Sequence, residues 1–251
     1  PLEPWRTWFA AHDLDWPEPT DGSSFNDIGL MCDAAVWSGV ISHLGTQAKG
    51  AVVPDHGLCD DIVGMAQQIL DTTTGPLAVV GHSMGGMVVQ KYLEQYDAPA
   101  TVLMSSVPPQ GLMGSAFGLI MKRPNLLADL NNIMAGNDVN IDSLREALFH
   151  QPVNADDLRR YYHHSQPESH RAIWDMSLFN LPQPGRMHRP PMLILGAEHD
   201  ALIPPDQVHM TAVTYGRQAE IFSGLGHGMM LERDWEKVAI RIADWLAERN
   251  L

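Results

Sequence analysis

Apolar and polar positions along this chain alternate between two kinds of segment. Short and almost wholly apolar runs predict buried strands, whereas apolar residues spaced three or four apart predict amphipathic helices. The predicted strands are 48–53, 77–80, 101–105, 192–195 and 219–222, and the predicted helices around them are 33–44, 60–70, the segment after residue 83, and 234–249. Because the two kinds alternate, we expect an α/β fold: a mostly parallel central sheet flanked by helices.

The last predicted helix has the clearest apolar stripe. At helical spacing it carries Trp235, Val238, Ala239, Ile242, Trp245 and Leu246. This pattern is typical of a helix that packs one face on the core.

The segment from 107 to 189 is far longer than the usual connection between a helix and a strand. It contains helix-like stretches at 119–135, 142–149, 155–162 and 168–179, broken by Pro124, Pro152 and Pro167. We predict a helical cap inserted over the carboxyl edge of the sheet, where it would exclude water from reacting groups. The core would then be 29–106 and 190–251, preceded by a separate segment, 1–28.

The predicted strand 77–80 runs straight into Gly81-His-Ser-Met-Gly85 and then into a helix. In this strand–turn–helix context, Gly-x-Ser-x-Gly predicts a nucleophile elbow that exposes the hydroxyl of Ser83. We expect Gly81 and Gly85 to leave no room for a Cβ beside the strained serine. A serine hydroxyl is a weak nucleophile, so it needs a general base and a carboxylate that orients the base.

Asp200 is the predicted orienting carboxylate, because it follows the strand 192–195 and reacting groups gather at the carboxyl ends of parallel strands. Glu198 in the same loop is the alternative, and a structural alternative is that Asp200 caps the next helix. His227 is the predicted base, since it lies in a glycine-rich loop after the last strand and completes the order Ser, Asp, His. His82 precedes the nucleophile, and we expect its side chain to point away from that of Ser83.

A tetrahedral oxyanion needs two preorganised donors. The backbone N–H of Met84, just after the nucleophile, is one candidate, and that of Leu30, with Gly29 next to it, is the other. Residues 23–28 before this turn form a poor strand by pattern, because Asn26 and Asp27 occupy positions where a buried strand needs apolar side chains.

Four residues are candidates for the substrate pocket: Gly29, Met113, Phe117 and Met121. Methionine suits an adaptable apolar pocket, but for any single one of these methionines we favour packing of the cap on the core.

The composition of the chain limits which classes of partner and substrate we expect. The chain has 251 residues, a formal net charge of −14 and 16 Lys and Arg without a basic run, which argues against nucleic acid and favours neutral or apolar substrates. Cys32 and Cys59 do not have metal-type spacing, and we expect free thiols in a reducing, cytoplasmic compartment and no metal. No apolar stretch of about 18 residues and no secretory leader is evident, although a leader removed before Pro1 remains open, as does the oligomeric state.

The motif 81–85, together with Asp200 and His227 in that order, resembles the α/β-hydrolase superfamily, in particular its lidded bacterial esterase and lipase-like members. The turn 29–37 and the tail 226–231 are similar to stretches in such proteins. The resemblance implies triad roles for Ser83, Asp200 and His227, an oxyanion hole at Leu30 and Met84, and no cofactor.

The first 28 residues depart from that pattern. With Trp-Phe-Ala-Ala and a later Phe-x-Asp, residues 5–27 are weakly similar to a fragment of the effector-binding domain of a LysR-type regulator. We therefore expect a fused or replaced N-terminus.

The expected activity is hydrolysis of small to medium, mostly uncharged carboxylic esters by a serine hydrolase, so the expected partner is a small-molecule ester. The alternatives are another activity of the same fold (thioesterase, lactonase, amidase, C–C hydrolase or cofactor-free haloperoxidase) or a non-catalytic ligand-binding protein.

Overall fold

The computed structural model describes residues 25–29, 34–54, 56, 59–73, 78–114, 141–163 and 169–251. Within these ranges, five strands form a parallel sheet whose spatial order follows the chain. The strands are β1 (Phe25–Gly29), β2 (Ala78–His82), β3 (Ala100–Met104), β4 (Met192–Ala197) and β5 (Ala219–Phe222). The predicted α/β class is confirmed.

Helices connect these strands. They are α1 (Ala34–Leu44), α2 (Ile62–Asp71), α3 (Met84–Tyr92), α4 (Ile141–Leu148), α5 (Ala155–His163), α6 (His170–Trp174), α7 (Pro205–Tyr215) and α8 (Glu236–Ala247). A single turn of 3₁₀-helix, Gly45–Ala48, follows α1, and a π-helical turn, Asp175–Phe179, follows α6. None of the described helices is long and apolar enough to cross a membrane.

The two faces of the sheet bury two separate apolar clusters. Val79 on β2 packs with α2 and α3, whereas its neighbour Val80 packs with α1 and α8. On β4, Ile194 packs in the same cluster as Val79, and Leu193 packs in the same cluster as Val80. Because successive strand residues face opposite sides, a wholly apolar strand fills both clusters at once.

The amphipathic stripe predicted for the last helix is confirmed. Five of its residues are buried, namely Val238, Ala239, Ile242, Trp245 and Leu246, and Trp235 is partly buried against them.

The prediction of a strand at 48–53 was wrong. Residues Gly45–Ala48 form the 3₁₀ turn, and Val52 makes only an isolated bridge. Gly50 lies between them with a φ of 82°, a conformation that interrupts an extended chain.

The polar segment at 23–28 nevertheless supplies β1, which pairs with β2 in the register Phe25 to Ala78 through Gly29 to His82. Parallel pairing is made by backbone groups, and β1 is the outer strand of the described sheet. The hydrogen-bond ladder therefore forms despite an unfavourable side-chain pattern.

The described part of the long connection between β3 and β4 contains three helices, which are joined by turns and irregular segments. Helices α4, α5 and α6 match three of the four predicted stretches. The fourth, 119–135, lies outside the described residues, as do residues 1–24 of the N-terminal segment. That the connection covers the site as a cap stays a prediction.

Candidate active site

The turn between β2 and α3 holds Ser83 in a strained backbone conformation, with φ 56° and ψ −124°. Hydrogen bonds on both sides keep the turn in place. The Ser83 N–H donates to the carbonyl of Met104 (3.0 Å), and the Ser83 carbonyl accepts from the N–H groups of Val107 (2.9 Å) and Gly86 (3.1 Å). The strained turn is thus tied to the end of the neighbouring strand β3.

Two glycines let the chain pass close to itself here. A Cβ on Gly81 would lie 2.6 Å from the carbonyl oxygen of Gly85, so the crowding predicted for Gly81 is present. A Cβ on Gly86 would overlap the Oγ and Cβ of Ser106. Gly86 was not singled out from the sequence, because Ser106 approaches it only after β3 pairs with β2.

Asp200 and His227 meet beyond the ends of β4 and β5. His227 Nδ1 lies 2.9 Å from Asp200 Oδ2 and 3.0 Å from Oδ1, and both side chains are buried. Because a carboxylate only accepts, Nδ1 carries the proton of the neutral ring and leaves the lone pair on Nε2, as a general base requires.

Asp200 also stabilises its own loop. Its Oδ1 accepts from the N–H groups of Leu202 (2.9 Å) and Ile203 (2.8 Å), just before α7. Asp200 can therefore stabilise its own turn and orient the imidazole at the same time. The backbone donors fix the carboxylate that faces His227.

Glu198, the alternative carboxylate, points elsewhere. It is exposed, and its Oε2 accepts from the backbone N–H of Gly224 (3.0 Å). The structure brings Asp200, not Glu198, to the imidazole of His227.

His82 connects the elbow to the histidine loop. Its Nε2 lies 2.8 Å from the backbone carbonyl of His227, and the two ring centroids are 4.6 Å apart. Since a carbonyl only accepts, Nε2 carries the proton, while the buried Nδ1 has no hydrogen-bond partner among the residues that the structure describes. Burial of the ring is the largest cause that lowers the pKa of His82, and the nearby His227 is the second. The pKa falls to about 3, so this ring stays neutral at physiological pH. Nothing in the sequence pattern indicates this contact.

The structure therefore brings His227 to the residue immediately before Ser83. Among the described residues, no hydrogen bond joins the Ser83 hydroxyl to His227. Such a contact commonly tightens only when substrate binds.

The two predicted oxyanion donors differ in how far the structure describes them. Met84 is the first residue of α3, so its N–H has no acceptor within the helix and lies at the positive end of the helix dipole. Leu30 lies outside the described residues, but Gly29 before it pairs in register with His82. The edge that carries Ser83 thus also carries the end of β1.

The predicted pocket residues are only partly described. Met113 is 54% exposed, and Phe117 and Met121 lie outside the described residues. In the part of the chain that the structure describes, no group of three or more His, Cys, Asp or Glu side chains has the arrangement of a metal site.

Solved structures of similar shape include several bacterial enzymes. A candidate lipase from Acinetobacter baumannii superposes with a TM-score of 0.73 at 18% identity, covering 93% of this chain and 86% of the other. An esterase from Exiguobacterium antarcticum gives 0.64 at 16% identity, covering 90% and 93%. A candidate non-heme bromoperoxidase from Mycobacterium tuberculosis gives 0.67 at 16% identity, covering 92% and 94%. At these identities the likeness shows the fold.

A search of curated proteins returned no match. The sequence profile described as the alpha/beta hydrolase family matches residues 7–241. The match extends into the atypical N-terminal segment, whose weak similarity to a LysR-type fragment stays a prediction. Because the profile spans most of the chain, and the sheet and elbow have the arrangement described above, the chain belongs to the alpha/beta hydrolase family.

Proposed function

We propose that this protein is a serine hydrolase that cleaves small to medium, mostly uncharged carboxylic esters. One observation carries the proposal. The buried pair of Asp200 and His227 is bonded, through the His227 carbonyl, to the residue that precedes Ser83 in its strained turn. This arrangement would supply an oriented base beside the turn that carries the half-buried Ser83, as nucleophilic acyl transfer requires.

In the proposed reaction, Ser83 Oγ attacks the ester carbonyl carbon while His227 Nε2 takes the hydroxyl proton. The resulting imidazolium is stabilised by Asp200 and returns the proton to the leaving alcohol. Water activated by the same imidazole then hydrolyses the acyl-serine. The N–H of Met84, together with the predicted donor at Leu30, would stabilise the oxyanion in both steps.

The test is hydrolysis of a p-nitrophenyl ester series from acetate to laurate. We expect turnover by the wild type and its loss, by about 10⁴-fold or more, in Ser83→Ala, because removing the nucleophile leaves only oxyanion stabilisation and binding. Ser223→Ala is the matched control, because it removes the same hydroxyl group from an exposed serine that follows β5. The preferred chain length would measure the size of the acyl pocket.

Ester turnover that survives in Ser83→Ala would refute the proposal. If a folded wild type hydrolyses no ester, labelling with an organophosphonate separates the remaining possibilities. Labelling at Ser83 would direct the search to thioesters, lactones, amides and C–C bonds. Absence of labelling would favour a ligand-binding protein on this fold.

A further inference from the structure

The backbone on both sides of His227 is fixed to the inserted segment between β3 and β4. The contact lies in the turn that leaves α4, residues 148–151, called here the 148–151 turn. The N–H of Gly228 donates to the carbonyl of Leu148 (2.7 Å). The N–H of Gly226 is held through the carboxylate of Glu232, which also binds this turn.

Glu232 is fully buried and belongs to the same loop as His227. Its Oε1 accepts from the N–H groups of His150 (2.6 Å) and Gly226 (2.9 Å), and its Oε2 accepts a longer bond from the N–H of Gln151 (3.4 Å). Hydrogen bonds to an ionised acceptor are stronger than those between neutral groups. One carboxylate therefore joins two separate loops.

Gln151 completes the junction from the opposite side. Its side-chain Nε2 donates to the carbonyl of Gly224 (3.1 Å), and its Oε1 accepts from the N–H of Asp234 (3.2 Å). These contacts lie before and after His227 in the chain, so the whole histidine loop is anchored to the 148–151 turn.

Glycines flank His227 because the two loops approach closely. A Cβ on Gly226 would lie 2.7 Å from the backbone nitrogen of His150 and 2.9 Å from Glu232 Oε1. A Cβ on Gly228 would lie 3.2 Å from the ring of Phe149. The Gly-His-Gly sequence thus reflects this junction as well as access to Ser83.

We infer that Glu232 is a positioning residue that holds the His227 imidazole in its productive place by fixing the histidine loop to the 148–151 turn. The inference rests on the proposed function, because it assigns His227 the role of base. Asp200 sets the tautomer and direction of the ring, whereas Glu232 and Gln151 set the position of the backbone that carries it. The inserted segment then contributes to the catalytic centre.

The first measurement is the downfield NMR signal of the His227 Nδ1 proton, assigned by its loss in His227→Gln. It reports the hydrogen bond to Asp200 without requiring turnover. We expect Glu232→Gln to broaden or remove this signal. Glu220→Gln is the matched control, because Glu220 lies in β5 and its carboxylate accepts two hydrogen bonds from Arg241 in α8.

The second measurement is the rate at which an organophosphonate labels Ser83. A displaced base should slow labelling of Glu232→Gln by about 10- to 100-fold. For any ester that the enzyme turns over, kcat should fall by a similar factor with little change in KM. Glu220→Gln should behave as the wild type.

Loss of a buried carboxylate also destabilises the fold, so two further variants separate positioning from stability. Ile69→Ala, in α2, lowers stability from the apolar cluster on the other face of the sheet, in which no residue of the histidine loop takes part among the described residues. It should keep the NMR signal and the labelling rate while folded. Gln151→Met removes the side-chain bonds from the inserted segment without burying a new polar group, and should weaken both readouts.

An unchanged Nδ1 signal in both folded Glu232→Gln and folded Gln151→Met would overturn the inference, as would an equal loss in Ile69→Ala. Failure of the proposed function gives a different result. In that case the wild type shows neither ester turnover nor labelling, yet the NMR comparison still decides whether Glu232 positions His227.

Discussion

The imidazole of His82 is buried next to that of His227, and its Nε2 proton is bonded to a backbone carbonyl. Its buried Nδ1 meets no acceptor or donor in the described part of the chain. Protonating Nδ1 would place a charge where no acceptor meets it and beside a second imidazole. The folded protein therefore strongly favours neutral His82, and its pKa falls to about 3. At pH values between about 3 and the ordinary pKa of 6.5, His82 binds a proton in the unfolded chain but not in the folded chain.

This difference predicts a pH dependence of stability. The contribution of His82 is fully present above pH 6.5 and is lost as pH falls towards 3, since the folded pKa is the lower one. Between pH 7 and 5 the wild type should lose about 2 kcal/mol more unfolding free energy than His82→Gln, whose side chain does not titrate. Urea denaturation of both proteins at the two pH values measures this, and parallel losses would contradict it.

A second residue-scale prediction concerns Gly86 in α3. Alanine normally stabilises a helix over glycine by about 1 kcal/mol, but here its Cβ would overlap Ser106. Gly86→Ala should instead cost about 1–3 kcal/mol of unfolding free energy. Adding Ser106→Gly should recover part of the loss, as a double-mutant cycle would show.

Gly185→Ala is the control for that cycle, because a Cβ at this position meets nothing within 4 Å. It should be close to neutral. Strictly additive losses for Gly86→Ala and Ser106→Gly would show that the overlap with Ser106 is not the cause.

At the scale of elements, α8 shows how one face of a helix holds the sheet. Its buried stripe packs with α1 against the side of the sheet that contains Val80 and Leu195. The opposite face includes Ile240, which is 45% exposed, two positions from Ile242, which is fully buried. Isoleucine therefore occurs on both the exposed face and the buried face of one helix.

Truncating each isoleucine tests this asymmetry. Ile242→Ala should cost about 2–5 kcal/mol, because it leaves a cavity between α8 and the sheet. Ile240→Ala should cost under about 1 kcal/mol, since it removes little buried surface. Guanidinium denaturation of the pair gives the comparison, and equal costs would mean that α8 packs differently.

At the scale of the whole molecule, the net charge of −14 creates a field that repels anions. This effect acts before a substrate reaches the site, so it influences the second-order rate constant. It is also screened by salt, unlike the packing of an acyl chain in a pocket.

We therefore expect kcat/KM to be lower for a carboxylate-bearing ester than for a neutral ester of the same size, with the ratio narrowing as salt rises. The neutral ester, whose rate should hardly change with salt, is the internal control. Steady-state kinetics at about 0.01 M and about 0.5 M salt, where the Debye length is near 30 Å and below 10 Å, would measure the effect. A ratio independent of salt would assign the discrimination to the pocket alone.

The parts of the fold that could be predicted are those with a local cause. The strand 219–222 was placed with its observed limits, α8 follows from its apolar spacing, and α3 follows from the elbow motif that precedes it. The predictions around 48–53 and 23–28 failed because Gly50 bends an apolar segment, while pairing with β2 makes a strand from a polar one. Both outcomes depend on backbone geometry or a partner strand, which side-chain periodicity does not report.

For the candidate site, the elbow could be predicted from local sequence, because strand, turn glycine, serine and helix are contiguous and each has a local physical requirement. The order of Asp200 and His227 after their strands could be predicted in the same way. The choice between Asp200 and Glu198 required the folded chain, as did the contacts of neutral His82 with His227, of Gly86 with Ser106 and of Glu232 with the 148–151 turn. The reason is that these contacts join segments far apart in the chain, and their distances exist only once the sheet has aligned its strands.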